Sequence, residues 1–202
     1  MEKDKYHHGD LKQALIISGM KILKEEGVNA LTLRSAARAA GVSHSAPYSH
    51  FADKQALLAA ISTMGFNDLY DRITTTVMEF RNSPRELLTE TGWTYIQFAV
   101  SEPNCFKLMF SGILEDEHSY PEFMAAVQKT YQKLVDVVEI CQKGKVLRSG
   151  PQEESAIAVW SLVHGFVSLY LEQQLPDRVL EKYQLKKLLI NTLLQLDSGT
   201  NT

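Results

Sequence analysis

Apolar residues along this chain recur every three or four positions, and the strict alternation of a half-buried strand is nearly absent. Over residues 10–26, Leu11, Leu15, Ile16, Met20 and Leu23 mark the inner side of a helix, and Gly27 is its stop. Thr32 has the hydroxyl to cap a second helix, in which Leu33, Ala36, Ala37 and Ala40 stand at offsets 0, 3, 4 and 7. That stripe is narrow and mostly alanine, which lets another helix cross close to it, and Gly41 supplies the left-handed residue of a tight bend. A third helix is expected over 43–51. Pro47 and Phe51 are its inward pair, which turns His44, Ser45, Tyr48 and Ser49 outward. Pro47 also removes an amide from the first turn and biases Ala46 away from helical angles, so the start of this helix shifts from Ser43 toward Ser45.

Beyond Asp53, a cap by residue type, a long helix is expected to about residue 80. Ser83 and Glu86 then form a capping box with Pro84 at the first helical position, opening a helix through Leu88, Trp93, Ile96 and Val100. A short helix carries Phe106, Leu108, Met109 and Phe110, and 111–118 is a loop. Ser119 and Glu122 repeat the capping box for a helix through Val127, Tyr131, Leu134, Val138 and Cys141 that ends by Gly144. Residues 156–171 are apolar nearly all round, so that helix must be covered on more than one side. The last helix sets Leu185, Leu188, Leu189, Thr192, Leu193 and Leu196 in one stripe, with Lys182, Lys186 and Lys187 off it. The pattern predicts an all-α chain, and its length allows about two cores, divided here as 1–56 and a larger helical bundle over 57–197.

Composition adds constraints rather than detail. With 202 residues, 45% hydrophobic and 22% charged, the chain has the makeup of a globular protein with ample material for a core. Its two cysteines, Cys105 and Cys141, show neither CxxC spacing nor a nearby His pair, which disfavours a disulfide framework or a zinc site and fits a reducing compartment. The opening "MEKDKYHHGDLK" has no apolar signal-peptide run, and the 16 residues of 156–171 carry Ser161, His164 and Ser168, short and polar for a membrane span. A cytoplasmic location is expected. The net charge of −3 divides unevenly: residues 1–60 hold 8 Lys/Arg against 6 Asp/Glu, and 61–202 hold 13 against 18. A basic head on an acidic chain can still meet a polyanion.

Two crossed helices, the second presenting an aromatic beside hydroxyls and imidazoles, suit a helix-turn-helix whose second helix enters the major groove. Lys54 would reach a phosphate as a point charge. A plain helical hairpin with a polar surface is the competing reading. Thr32, Ala37, "GVS" at 41–43, "YSHF" at 48–51 and "DKQALL" at 53–58 decide between them, because together they resemble the DNA-binding signature of the TetR family of bacterial transcriptional regulators. The opening "YHHGDLKQALI" and the trio Trp160, His164 and Gly165 resemble one subgroup, whose ligand domain is named for Trp-His-Gly. The resemblance implies an all-helical homodimer with a DNA-binding head and a body that binds a small effector. It assigns phosphate contacts to Thr32, Tyr48, His50 and Lys54, and base contacts to His44, Ser45, Ala46 and Ser49.

For the body, Trp93, Phe106, Met109, Phe110, Phe123, Tyr131, Trp160 and His164 are the expected lining of an effector pocket, since soft and aromatic side chains with a few polar groups line such sites. Each one singly is more often a core residue, and His164 is read first as a core histidine bonded to backbone and second as an effector ligand, two roles that can coexist. Ser161, Gly165, Ser168, Leu185, Leu189, Leu193 and Leu196 are the candidate dimer face, two helices from each subunit making a four-helix interface; burial within one subunit is the alternative. The run "EDEH" at 115–118 reads as a solvated loop rather than a metal site, and no metal or other cofactor is expected. GxSxG, P-loop, GxGxxG and HExxH motifs are all missing, which argues against an enzyme. The expected function is a sequence-specific DNA-binding regulator, a repressor released from a palindromic operator by a small, largely apolar effector. A regulator without a small ligand, or an activator, is the alternative.

Overall fold

The computed structural model describes residues 8–196, which form nine α-helices and no strand. In chain order these are α1 (His8–Glu26), α2 (Leu33–Ala39), α3 (Lys54–Phe80), α4 (Pro84–Ser101), α5 (Pro103–Met109), α6 (Pro121–Lys143), α7 (Gln152–Leu171), α8 (Asp177–Lys182) and α9 (Leu185–Leu193). The start of α2 is fixed by a reciprocal cap, in which Ser35 N donates to Thr32 Oγ1 at 2.9 Å and Thr32 N donates to Ser35 Oγ at 2.8 Å. Its end is a Schellman turn: Gly41 lies at φ +70°, Gly41 N donates to Arg38 O at 3.2 Å, and Val42 N donates to Ala37 O at 3.0 Å.

The third helix differs from expectation. In place of an α-helix over 43–51 the chain makes a single 3-10 turn, Ala46–Ser49. Pro47 has no N–H to give to the Ser43 carbonyl, so the first α-type bond of such a helix cannot form. The chain tightens instead, with Ala46 N donating to Ser43 O at 3.0 Å and Tyr48 N to Ser45 O at 3.3 Å; the one bond of α type runs from Phe51 N to Pro47 O at 2.9 Å. Asp53 caps α3 as expected, its Oδ1 accepting from Ala56 N at 2.8 Å.

The described residues fall into two compact units. The first takes residues up to 67 together with 102–127, and the second takes 68–101 together with 128 onward, so α3 and α6 each run from one into the other. In the first unit, Leu15, Leu23, Leu31, Ala36, Ala37, Phe51, Leu57 and Ile61 are buried around the crossing of α1, α2 and the start of α3. Gly19 allows that crossing, since a Cβ there would meet Ile61 Cδ1 at 2.7 Å. In the second unit the buried set includes Leu69, Leu88, Ile96, Phe98, Val138, Val163, Leu189 and Leu193.

Several boundaries are set by contacts that pattern does not carry. Gly144 is not the left-handed residue that ends α6: that position falls to Lys145 at φ +57°, while a Cβ on Gly144 would meet Pro84 Cγ at 2.5 Å. The glycine serves close approach, and the cap is made beside it. α7 begins at Gln152, four residues before the apolar run, so that its 20 residues are by length and composition enough to cross a membrane. Within its unit it buries Ala156, Val159, Val163, Phe166 and Val167. α8 is an addition to the expected elements, and α9 gives way to a 3-10 turn over Leu194–Leu196.

Candidate functional site

The head presents a polar face built from two elements. Pro47 and Phe51 are buried, as their spacing predicts, and His44, Ser45, Tyr48 and Ser49 are exposed, with Tyr48 at 55%. The 3-10 turn changes what these groups offer. Ser49 Oγ donates to Ala46 O at 2.7 Å, and the hydroxyls of Ser43 and Ser45 stand 3.2 Å apart. Those hydroxyls are partly engaged locally, which leaves His44 and Tyr48 as the longest side chains projecting from the turn. Ala46 and His50 are half-buried.

Two residues singled out as phosphate contacts have structural duties too. Thr32 Oγ1 is the cap of α2. Lys54 Nζ donates to Val28 O at 3.2 Å, fastening the loop after α1 to the first residue of α3; an ammonium has three N–H donors, so this bond leaves others for a phosphate. Pattern reading passes over Arg34 and Arg38. They stand four apart on the exposed side of α2, opposite its alanine stripe, and among the described residues neither makes an ion pair. Their spacing is a readable signal of a cationic stripe along α2.

The expected pocket residues divide between the units. In the first, Phe106, Phe110 and Phe123 gather around Phe66 of α3: Phe66 lies 5.4 Å from Phe110 and 5.8 Å from Phe123, both edge-on, and Phe106 lies 5.0 Å from Phe110. Met109 is buried against Gly65, where a Cβ would meet its Sδ at 2.6 Å.

In the second unit, Tyr131, Trp160 and His164 form a ring series with centroids 6.2 Å apart at each step. Tyr95, which sequence reasoning missed, joins it: Trp160 Nε1 donates to Tyr95 Oη at 3.3 Å, and Tyr95 Oη lies 2.7 Å from His164 Nδ1. Indole nitrogen can only donate, so the Tyr95 oxygen accepts from Trp160 and shares a second hydrogen bond with His164 Nδ1. Burial lowers the pKa of His164 and raises that of Tyr95, so both stay neutral. His164 is thus tied through Nδ1 to the Tyr95 hydroxyl, in a side-chain relay with Trp160. Trp93 stands apart from this series, with Lys186 Nζ 5.7 Å from its ring centroid and paired to Glu90 at 2.8 Å.

The candidate dimer face also separates. α7 exposes Ile157, Trp160, Ser161 and Leu169, with Gly165 and Ser168 half-buried, and a Cβ on Gly165 would meet nothing within 4 Å. Leu189 and Leu193 are instead wholly buried in their own unit: a Cβ on Gly92 would meet Leu193 Cδ1 at 2.9 Å and Leu189 Cδ2 at 3.6 Å. Those two leucines offer no surface to a partner, because α4 has already covered them. Leu185 is half-buried, and the side chains of Leu196 and Lys182 lie outside the described residues.

Residues 15–61 match the family model of bacterial regulatory proteins, tetR family, and residues 88–193 match that of the tetracyclin repressor-like C-terminal domain. The chain belongs to the TetR family. It is therefore a DNA-binding transcriptional regulator of a family that is not enzymatic. Regulators of the TetR family bind operators, dimerise and take small-molecule effectors. Among curated relatives, an uncharacterized HTH-type transcriptional regulator, YobS of Bacillus subtilis strain 168, is 24% identical over 173 residues, covering 81% of each chain. A protein of unknown function from Rhodococcus sp. RHA1 shares 26% identity with a TM-score of 0.81, over 97% of this chain and 100% of that one. The TetR-family transcriptional regulator PfmR from Thermus thermophilus shares the fold at 17% identity, with a TM-score of 0.67 over 93% and 99%.

Proposed function

We propose that the chain is a cytoplasmic repressor whose dimer holds an imperfect palindrome and lets it go when a small, largely apolar effector binds the body. The head is residues 1–56 and the body 57–197. The observation that carries this reading is the set of exposed cationic and polar side chains Arg34, Arg38, His44 and Tyr48 in a chain whose 15–61 segment matches the TetR DNA-binding model. Arg34, Arg38, Thr32, Tyr48, His50 and Lys54 clamp phosphates, while His44, Ser45, Ala46 and Ser49 face base edges. Each of the two aromatic groups, one around Phe66 in the first unit and one running Tyr131–Trp160–His164 in the second, has by itself the soft walls and few polar groups that suit an effector site. Trp160, His164 and Gly165 support a body of the Trp-His-Gly type.

Release follows from geometry. A two-fold protein presents two recognition elements at a fixed separation, and α3 continues unbroken from the head as far as Phe80. A ligand that shifts α3 changes the separation and unfits both heads together. Coupling of this kind is reciprocal and typically about 5- to 150-fold. The test is selection of bound fragments from random DNA, followed by titration of candidate effectors with and without the selected operator. Inverted repeats, and an effector weakened by DNA by the same factor as DNA is weakened by effector, support the reading. Direct repeats, or equal effector affinity in both titrations, would overturn the dimer geometry or the release respectively.

A further inference from the structure

Within the first unit, the last turn of α1 is held by α5. Asn104 Nδ2 donates to Leu23 O at 2.9 Å and to Lys24 O at 3.2 Å. The Lys24 carbonyl belongs to the final turn of α1, where carbonyls have no intrahelical amide to accept from, so the asparagine acts as a cap supplied from another helix. Lys24 Nζ adds an ion pair to Glu102 Oε1 at 2.9 Å, on the residue that precedes α5. Apolar packing does not close this seam. A cleft of about 200 Å³ lies along it, walled by Met20, Leu23, Pro103 and Cys105 as well as by the polar groups. Directional bonds, more than close packing, therefore set where the end of α1 stands against α5.

The rest of α5 is engaged with α3 and the aromatic cluster. Gly65 lies so near that a Cβ would meet Met109 Sδ at 2.6 Å and Cys105 Sγ at 2.7 Å, and Phe106 and Phe110 of the same stretch belong to the ring cluster around Phe66. A helix of seven residues cannot absorb a push on Met109 or Phe106 by bending, so the displacement arrives at its first turn, where Asn104 is. α1 in turn packs on α2, the carrier of Arg34 and Arg38.

We propose that Asn104 is a positioning residue through which α5 sets α1, so that a ligand seated among the aromatic side chains around α5 acts on the DNA-binding head through this clip as well as through α3. The proposal rests on the effector reading above, but its test needs no effector. Gly65→Ala is a fixed wedge under α5, and it is combined with Asn104→Ala in a double-mutant cycle on the full chain. Two readouts are taken: amide hydrogen exchange over residues 20–27 in the free protein, and affinity for DNA selected from a random pool by the parent.

In the parent background, Gly65→Ala is expected to speed exchange at the end of α1 and to weaken DNA binding about fivefold or more; in the Asn104→Ala background both responses shrink to less than about twofold. Equal responses in the two backgrounds overturn the proposal. If Gly65→Ala does not fold, Met109→Ala repeats the cycle by removing the side chain that faces Gly65, with the same criterion. Failure of the parent to select any DNA would overturn the DNA-binding reading instead, and the exchange cycle would then decide the clip by itself.

Discussion

At the scale of single residues, the head asks one side chain to do two things. Lys54 ties Val28 through its ammonium and is proposed to meet a phosphate, so Lys54→Ala should lower both stability and DNA affinity. The lost hydrogen bond should cost about 1 kcal/mol. The lost phosphate contact should weaken all sequences alike and reduce the slope of log affinity against log salt by about 1 per half-site. Thermal melts and salt titrations read the two effects separately; an unchanged salt slope would confine Lys54 to the fold. His164 gives a pH signature of its own. Its folded pKa is lowered by burial, so below the ordinary histidine value of about 6.5 the unfolded chain binds more protons than the folded one. Stability is therefore complete above that value and falls as the pH drops through it. Tm followed from pH 8 down should fall more for the parent than for His164→Gln, and parallel curves would mean that the relay with Tyr95 and Trp160 does not carry the charge penalty.

At the scale of elements, Pro47 decides the reading head. Pro47→Leu keeps an apolar group at a buried position and restores an amide at 47 for an α-type bond to the Ser43 carbonyl, so it should lengthen the 3-10 turn toward an α-helix and swing His44 and Ser49. The expected outcome is a changed base preference in selected DNA with the salt slope kept, because phosphate contacts position and base contacts specify. An identical selected sequence would mean that the turn already holds its DNA-bound form. The same proline shows how much the sequence could say. That Pro47 shifts the start of the helix was legible, since it follows from one missing amide. That the whole element tightens into one 3-10 turn was not, because it depends on which remaining carbonyls the amides of 46, 48 and 51 can reach. Caps and bends were legible for the same local reason: Thr32, Gly41 and Asp53 act on neighbours within a few residues. Contacts across the chain were not. Tyr95 meets His164 69 residues away, and Gly144 is held small by Pro84, neither of which leaves a trace in periodicity.

At the scale of the whole molecule, the proposed dimer has to be assigned a face, and the apolar helix α7 is the candidate. The stripe on α9 read as apolar because it is apolar, but Leu189 and Leu193 use that character inside their own unit against α4, and periodicity cannot tell a face that meets the same chain from one that meets another. What stays open is the side of α7 bearing Ile157, Ser161, Gly165 and Leu169. Gly165 makes the test clean, because a Cβ there meets nothing within 4 Å of the single chain. Gly165→Leu should therefore leave the subunit folded, apart from the small gain in helix propensity that any residue replacing glycine brings, about 0.5–1 kcal/mol. In a dimer packed on this face, the same branched side chain would stand where two helices touch, and overpacking of that kind costs about 1–3 kcal/mol at each of two symmetric sites. Sedimentation of the variant should show monomer at concentrations where the parent is dimeric, with helical content and Tm in dilute solution kept. Affinity for a palindrome should fall toward that of a single half-site, since the two heads no longer arrive together. A variant that stays dimeric and binds the palindrome as the parent does would move the two-fold axis off this face of α7.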